Sequence, residues 1–495
     1  MTETPWGGPT RGAVRGSTAP EGTRSYAPSM IERAVPQWFD DAKFGIFVHW
    51  TAAAVPAFAP VGASPFELAA AEGEAASFAR SPYVEWYQNA LAIDGSPVQR
   101  HHHATYGDLP YDAFVAEFLA GHRGWDPDAW ADLFRAAGAR YVVLVTKHHD
   151  GVLLWPSAHR NPHKRDWQAS RDIVGELAAA VRARGMRFGT YYSGGLDWTF
   201  PSREGSGLPI TSIAGMLGAV PQSAEYLAYA DAHWRELVER YEPCVLWNDI
   251  GYPAAADLEA LFRWYYERVP DGIVNNRFDW MRQTAGQVHA DFVTPEYSVE
   301  GSTEKKWEAT RGIGTSFGYN REEGDDDYLS VGELVRLLVD VTARGGNLLL
   351  NVGPCGDGTI PVVQAERLLA LGWWLRANGE AVFDTRPSVA PARADGRTAD
   401  GLDVRYTSAA DGSALFAIVL GTPSTSRVVV EDLHVDDGAT IEQLGRAGPL
   451  AWTRRGDEGG GVEVQLQGRP PSGPGITLRV SPAPAAAATA AARPR

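Results

Sequence analysis

The chain has 495 residues, 44% of them hydrophobic and 11% aromatic, with a formal net charge of −16. That length predicts two domains and a sizeable core. The acidic balance excludes nucleic acid and an anionic membrane surface as partners, so a neutral substrate fits better.

Residues 1–26 are rich in Gly, Pro, Ser and Thr, a composition that predicts disorder. The first 25 carry no apolar h-region and no run approaches 18 apolar residues, so neither a signal peptide nor a transmembrane helix is predicted. A soluble, cytoplasmic protein is expected. Cys244 and Cys355 lie far apart without CxxC spacing and are expected to be buried or free thiols.

Over residues 27–388 short apolar runs alternate with amphipathic helical patterns. The runs are KFGIFVHW (43–50), RYVVLVTKHH (140–149), RFGTYYS (187–193), PCVLWND (243–249), GIVNNR (272–277), DFVTPE (291–296) and GNLLLNVG (346–353). Helices are read at 126–139, 170–185, 224–241, 257–269 and 329–345. The last opens on a capping box, Ser330 with Glu333, and stops at Gly345–Gly346. This alternation implies parallel strands and suits a (β/α)8-like TIM barrel, with a doubly wound sheet as the other arrangement compatible with the pattern. Over 389–482 the helical period disappears. Short strand-like runs such as LDVRYTSA, SALFAIVLG and GVEVQLQG predict a C-terminal all-β sandwich. The Ala/Pro-rich tail, 483–495, belongs to no core.

A parallel barrel places its active site at the carboxyl ends of the strands. There the runs end in His49 and Trp50; His148, His149 and Asp150; Tyr191, Tyr192 and Ser193; Trp247, Asn248 and Asp249; Asn276 and Arg277; Glu296; and Asn351. Core strands would end in Gly, Pro, Asn or Ser. Consecutive strand residues face opposite ways, so His148 and His149 cannot share one ion while the strand stays regular. No H-E-x-x-H spacing occurs, and the HHH at 101–103 reads as a solvated loop. No metal or cofactor is expected. The set suits a small, neutral, hydroxyl-rich ligand, with Trp and Tyr covering an apolar sugar face. Asp249 and Glu296, from different strand ends, could flank a glycosidic bond.

The chain resembles glycoside hydrolase family 29, the retaining α-L-fucosidases. The resemblance is carried by WFDDAKFGIFVHW, EWY (85–87), AGARYVVLVTKHHDG, RFGTYYSGGLDW, VLWNDIGYP, DFVTPEY, KWEATRGIGTSFGYNR and GGNLLLNVGPCGDGTIP, in the family's order. It implies a barrel followed by a β-sandwich, and an exo-acting enzyme that removes terminal α-L-fucose. The family's W-x-D nucleophile falls on Asp249 and its acid/base on Glu296, with Glu300 second. Sugar-binding positions fall on His49, Glu85, Trp86, His148, His149, Tyr191, Trp247, Arg277 and Phe317. Both histidines would then bind fucose hydroxyls, which requires the strand to break its alternation near Gly151. Asp150 would brace a histidine or the turn. Glu300, Glu304 and Glu308 otherwise read as a solvated acidic loop.

The expected partner is a fucosylated oligosaccharide or glycoside, and a homo-oligomer is compatible with the sequence. A metal-dependent hydrolase on the His clusters and a catalytically idle sugar-binding protein are the alternative readings. Transfucosylation would use the same covalent intermediate.

Overall fold

The computed structural model describes residues 29–202, 207–301, 305–388, 395–456, 461–470 and 472–484. The predicted disordered segment 1–26 and most of the tail fall outside them. Among the described residues no helix is long and apolar enough to cross a membrane.

Seven strands form the first sheet: β1 (Phe44–Val48), β2 (Tyr141–Lys147), β3 (Arg187–Tyr192), β4 (Val245–Asn248), β5 (Ile273–Val274), β6 (Glu308–Gly312) and β7 (Asn347–Val352). They lie in the order β5–β4–β3–β2–β1–β7–β6, every neighbouring pair parallel. The sheet is curled as in a TIM barrel. Its two edges, β5 and β6, are joined through residues 292–296 by isolated bridges: Asn275 to Phe292, Val293 to Trp307 and Glu296 to Thr310. The run DFVTPE, expected as a strand, is therefore an irregular eighth stave. Pro295 has no N–H to give a ladder. The strand EATRG (308–312) was not expected, because Glu, Thr and Arg hide its period.

Alternation along the strands explains both layers of the core. Phe47, Tyr141, Val143, Val145, Tyr191, Val245, Trp247 and Leu349 point inward and fill the barrel. Their neighbours Ile46, Val48, Val142, Leu144, Phe188, Leu246 and Leu350 point outward and pack beneath the helices. Continuing the same period past the strand ends brings His49 and Asp249 to the inner side, above Phe47 and Trp247. Trp50, one residue on, goes outward, where its indole N–H donates to the Cys355 carbonyl at 2.8 Å.

The helix Pro127–Ala136 has Asp126 as its N-cap and Pro127 at its first position. The predicted capping box of the helix Val331–Ala343 is present, with Ser330 and Glu333 holding each other's backbone N–H. The HHH triplet does not lie in a loop. Ser96 caps a helix, Pro97–Tyr106, and His102 is buried between the Tyr87 hydroxyl and the Leu109 carbonyl, both at 2.8 Å. The signal passed over was Ser96–Pro97, an N-cap followed by Pro at the first helical position.

Beyond the barrel come β8 (Thr385–Pro387), β9 (Asp395–Arg397), β10 (Asp403–Ala409), β11 (Leu415–Leu420), β12 (Arg427–Val430), β13 (Thr440–Gln443), β14 (Ala451–Arg454), β15 (Val462–Gln465) and β16 (Gly475–Ser481). One antiparallel sheet runs β13–β16–β11–β10–β8 with β9 on β10, and a smaller one runs β12–β15–β14. Between them lie Val404, Tyr406, Ala417, Val419, Val428, Val430 and Val464. The opposite face of β11, with Phe416, Ile418 and Leu420, joins the barrel core. Polar links tie the same seam. Arg405 pairs with Asp340 at 2.5 Å, and the Trp374 indole donates to the Gly475 carbonyl at 3.0 Å. The β domain thus covers an apolar helical flank that would otherwise face water.

Candidate active site

A cavity of about 780 Å³ opens at the carboxyl ends of the strands. Its lining includes His49, Glu85, Trp86, His148, His149, Tyr191, Trp247, Asp249, Arg277, Glu296 and Phe317. Of the catalytic and sugar-binding positions that the resemblance named, Glu300 alone does not line it. It is exposed, with its backbone N–H held by the Ser298 hydroxyl at 3.0 Å. Tyr83, Tyr297 and Thr310 also line the cavity; Tyr297 lay beside a nominated acid, whereas nothing in the sequence singled out Tyr83.

Arg277 organises the floor. One guanidinium nitrogen, Nη1, lies 3.0 Å from Asp249 Oδ1 and 2.7 Å from Glu296 Oε1. Its Nε donates to the Thr294 hydroxyl at 2.7 Å and its Nη2 to the Thr294 carbonyl at 2.9 Å. The plane of the guanidinium is therefore fixed from behind, over the Trp247 ring at 4.8 Å. Two hydrogen-bond lengths cap the separation of the facing carboxylate oxygens. That limit, on one oxygen of each acid, is compatible with the roughly 5–5.5 Å between the carboxyl groups of a retaining glycosidase. The other oxygen of Asp249 accepts the Tyr191 hydroxyl at 2.9 Å. Burial raises the Glu296 pKa; Arg277 opposes that rise and the Asp249 charge adds to it.

The histidines are neutral and their tautomers follow from their partners. Burial brings His49 down to about 4 and holds His148 and His149 well below the usual imidazole value. Asn351 donates its amide to the Phe317 carbonyl at 2.6 Å, so its oxygen accepts from His49 Nδ1 at 2.6 Å. Ser193 donates to the Leu196 carbonyl at 2.7 Å, so its oxygen accepts from His149 Nδ1, also at 2.7 Å. In each ring Nε2 is left as an acceptor, suited to a ligand hydroxyl. His148 Nδ1 is buried without a hydrogen-bond partner among the described residues. The register of β2 on β3 slips between Val145 and Lys147. The strand ends there, and Gly151 takes φ 78°. Freed from alternation, the rings of His148 and His149 sit 3.9 Å apart on one side. Asp150 is buried beneath them, accepting from the Tyr111 hydroxyl and the Val152 N–H.

Aromatic rings and two further acids complete the walls. Tyr191 and Trp247 stack at 5.4 Å, Phe317 leans on His49 at 5.0 Å, and Trp86 meets His149 edge-on at 5.2 Å. Glu85 accepts the Gly318 N–H at 2.9 Å, and burial raises its carboxyl to about 7. Glu308 corrects an expectation, since it belongs to no solvated loop. It is fully buried on β6, accepting from the Tyr141 hydroxyl at 2.5 Å and the Trp247 indole at 3.2 Å. Burial raises it to about 7, so it braces Trp247 from below. Glu304 lies outside the described residues. Among those residues no group of three His, Cys, Asp or Glu is arranged to hold a metal ion.

Comparison with known proteins places this geometry. The family model described as alpha-L-fucosidase matches residues 16–380. The chain belongs to the α-L-fucosidase family. Plasma alpha-L-fucosidase of Rattus norvegicus is 34% identical over 89% of this chain and 90% of its own. The crystal structure of Thermotoga maritima alpha-fucosidase with a mechanism-based inhibitor is 42% identical, with TM-score 0.77 over 90% of this chain and 97% of that one. A Thermotoga maritima alpha-L-fucosynthase in complex with alpha-L-Fuc-(1-2)-beta-L-Fuc-N3 is 41% identical, with TM-score 0.78 over 90% and 96%.

The Ser193–His149 link generates a test in this fucosidase-family chain. Ser193→Ala frees the imidazole to carry its proton on Nε2, where it no longer accepts from a hydroxyl. L-Fucose affinity, measured by competitive inhibition, should fall about tenfold, near the net worth of one hydrogen bond, and stability to urea by about 1–3 kcal/mol as the buried Leu196 carbonyl loses the serine donor.

Proposed function

We propose that this chain is an exo-acting α-L-fucosidase that hydrolyses terminal α-L-fucosides with retention, Asp249 serving as nucleophile and Glu296 as acid/base. The observation that carries the reading is the single Arg277 nitrogen shared by both carboxylates. The family match supports the reaction class. The close approach of the two acids through one arginine nitrogen is compatible with double displacement.

In the first step Asp249 attacks the anomeric carbon. The glycosidic oxygen leaves with the proton of Glu296, giving a fucosyl ester on Asp249. In the second, Glu296 takes a proton from water, whose oxygen attacks the same carbon and returns the Asp249 carboxylate. Tyr191 and Arg277 hold that carboxylate in line, and Arg277 offsets its charge. His49, His148, His149 and Glu85 read the sugar hydroxyls, while Trp86, Trp247 and Phe317 cover the apolar face and the C5 methyl. A sugar hydroxyl in place of water would give transfucosylation from the same ester.

Proton NMR of an aryl α-L-fucoside digest tests this directly. The wild type should release α-fucose first. Asp249→Gly should lose at least about 10³-fold in turnover and regain it with azide as β-fucosyl azide. First-formed β-fucose would mean inversion and remove both assignments.

The sign of the Glu296 shift sets the pH dependence. Its raised pKa keeps the acid protonated to higher pH than an ordinary glutamate, so kcat/KM should fall on the alkaline side as that proton is lost. Glu296→Gln should flatten this limb. It should cost about 10²–10⁴-fold on phenyl α-L-fucoside and far less on a 2,4-dinitrophenyl fucoside, whose oxygen leaves without a proton. Equal losses on both substrates would contradict the acid role.

A further inference from the structure

The cavity is larger than one fucose needs, and part of its lining lies beside Glu296. Thr310 bridges Glu296 across the barrel seam, and the next residue, Arg311, also lines the cavity. This is where a leaving group would sit, on the reading that Glu296 protonates it.

Arg311 is half-buried with its guanidinium 5.0 Å from the Tyr297 ring. Its Nε donates to the Gly312 carbonyl at 3.0 Å, and no carboxylate of the described residues pairs with it. Glu333, the carboxylate felt at Arg311, and two acids of the cavity lining are otherwise engaged. Glu333 holds the N–H and hydroxyl of Ser330, Glu67 does the same for Ser64, and Glu74 accepts the Ile213 N–H. Burial accordingly pulls the Arg311 pKa down, as expected for a cation short of counter-charge. Beside it, the Thr310 hydroxyl is buried with no hydrogen-bond partner among the described residues. Phe66, Phe78 and Ile213 line other parts of the same cavity. A half-buried guanidinium without a carboxylate partner, in a cavity with apolar walls, suits a ligand that brings its own carboxylate.

We propose that this part of the cavity is a leaving-group subsite for an acidic aglycone, with the Arg311 fork pairing with a carboxylate on the group that carries fucose. The planar fork suits a carboxylate through two parallel N–H bonds. The phenylalanines would cover the apolar part of the aglycone. The inference rests on the fucosidase reading and adds the chemistry of what fucose is attached to.

The test compares 4-(carboxymethyl)phenyl α-L-fucoside with its methyl ester, whose phenols are of similar acidity. Wild-type kcat/KM should favour the carboxylate by about tenfold, the worth of one charge-assisted pair. The preference should shrink as salt is added and disappear in Arg311→Met. Equal kcat/KM for the two compounds in the wild type overturns the subsite. So does an equal fall for both in Arg311→Met, which would make the arginine a brace for Tyr297. If the wild type cleaves neither compound nor phenyl α-L-fucoside, the fucosidase reading itself fails.

Discussion

Two carboxylates held a hydrogen bond away from one buried arginine are the constraint on which the rest of this site depends. Asp249 and Glu296 come from the ends of different segments, and close together in a dry cavity they would repel. Arg277 makes the pair tolerable by placing one cation between them. Thr294 keeps that cation from following either acid. Burial raises the Glu296 pKa, the Asp249 charge adds to the rise and Arg277 opposes it. The same arginine lies over Trp247, and Trp247 is in turn braced by Glu308. Charge placement and the flat apolar wall are therefore set by one chain of contacts.

Around this centre the protein builds a surface of acceptors. His49 and His149 each spend their Nδ1 proton on a fixed oxygen and turn Nε2 outward. The oxygens are fixed because Asn351 and Ser193 are themselves committed to carbonyls. Burial keeps the rings neutral, so the cavity reads hydroxyls without presenting further cations. That arrangement matches a neutral sugar, since the histidines add no charge to that of Arg277 and of the half-buried Arg311.

Much of this was legible in the sequence, and the reasons are physical. The strands rich in Val, Ile, Leu and aromatics, such as β2 and β7, announce themselves because both of their faces are buried. Their ends carry His, Trp and Asp where ordinary turns would not, which is why the inward-facing site residues could be named. β6 was hidden because its inner face holds Glu308 and Thr310, polar side chains satisfied or awaited only by partners far away in sequence. Glu308 looked like a loop acid for the same reason, since Tyr141 and Trp247 become its neighbours only after the barrel closes. The break that lets His148 and His149 face one way was legible only through Gly151. The register slip itself depends on how β2 meets β3. His102 shows the opposite error, where a polar triplet concealed an ordinary capped helix.

The central claim is that Asp249 becomes covalently bonded to the sugar. The most direct measurement is to inactivate the protein with 2-deoxy-2-fluoro-α-L-fucosyl fluoride, digest it and sequence the modified peptide by tandem mass spectrometry. The account predicts one deoxyfluorofucosyl group per chain, carried by the side chain of Asp249. An adduct on Glu296 or on any other residue would contradict it, as would continued turnover with no adduct at all.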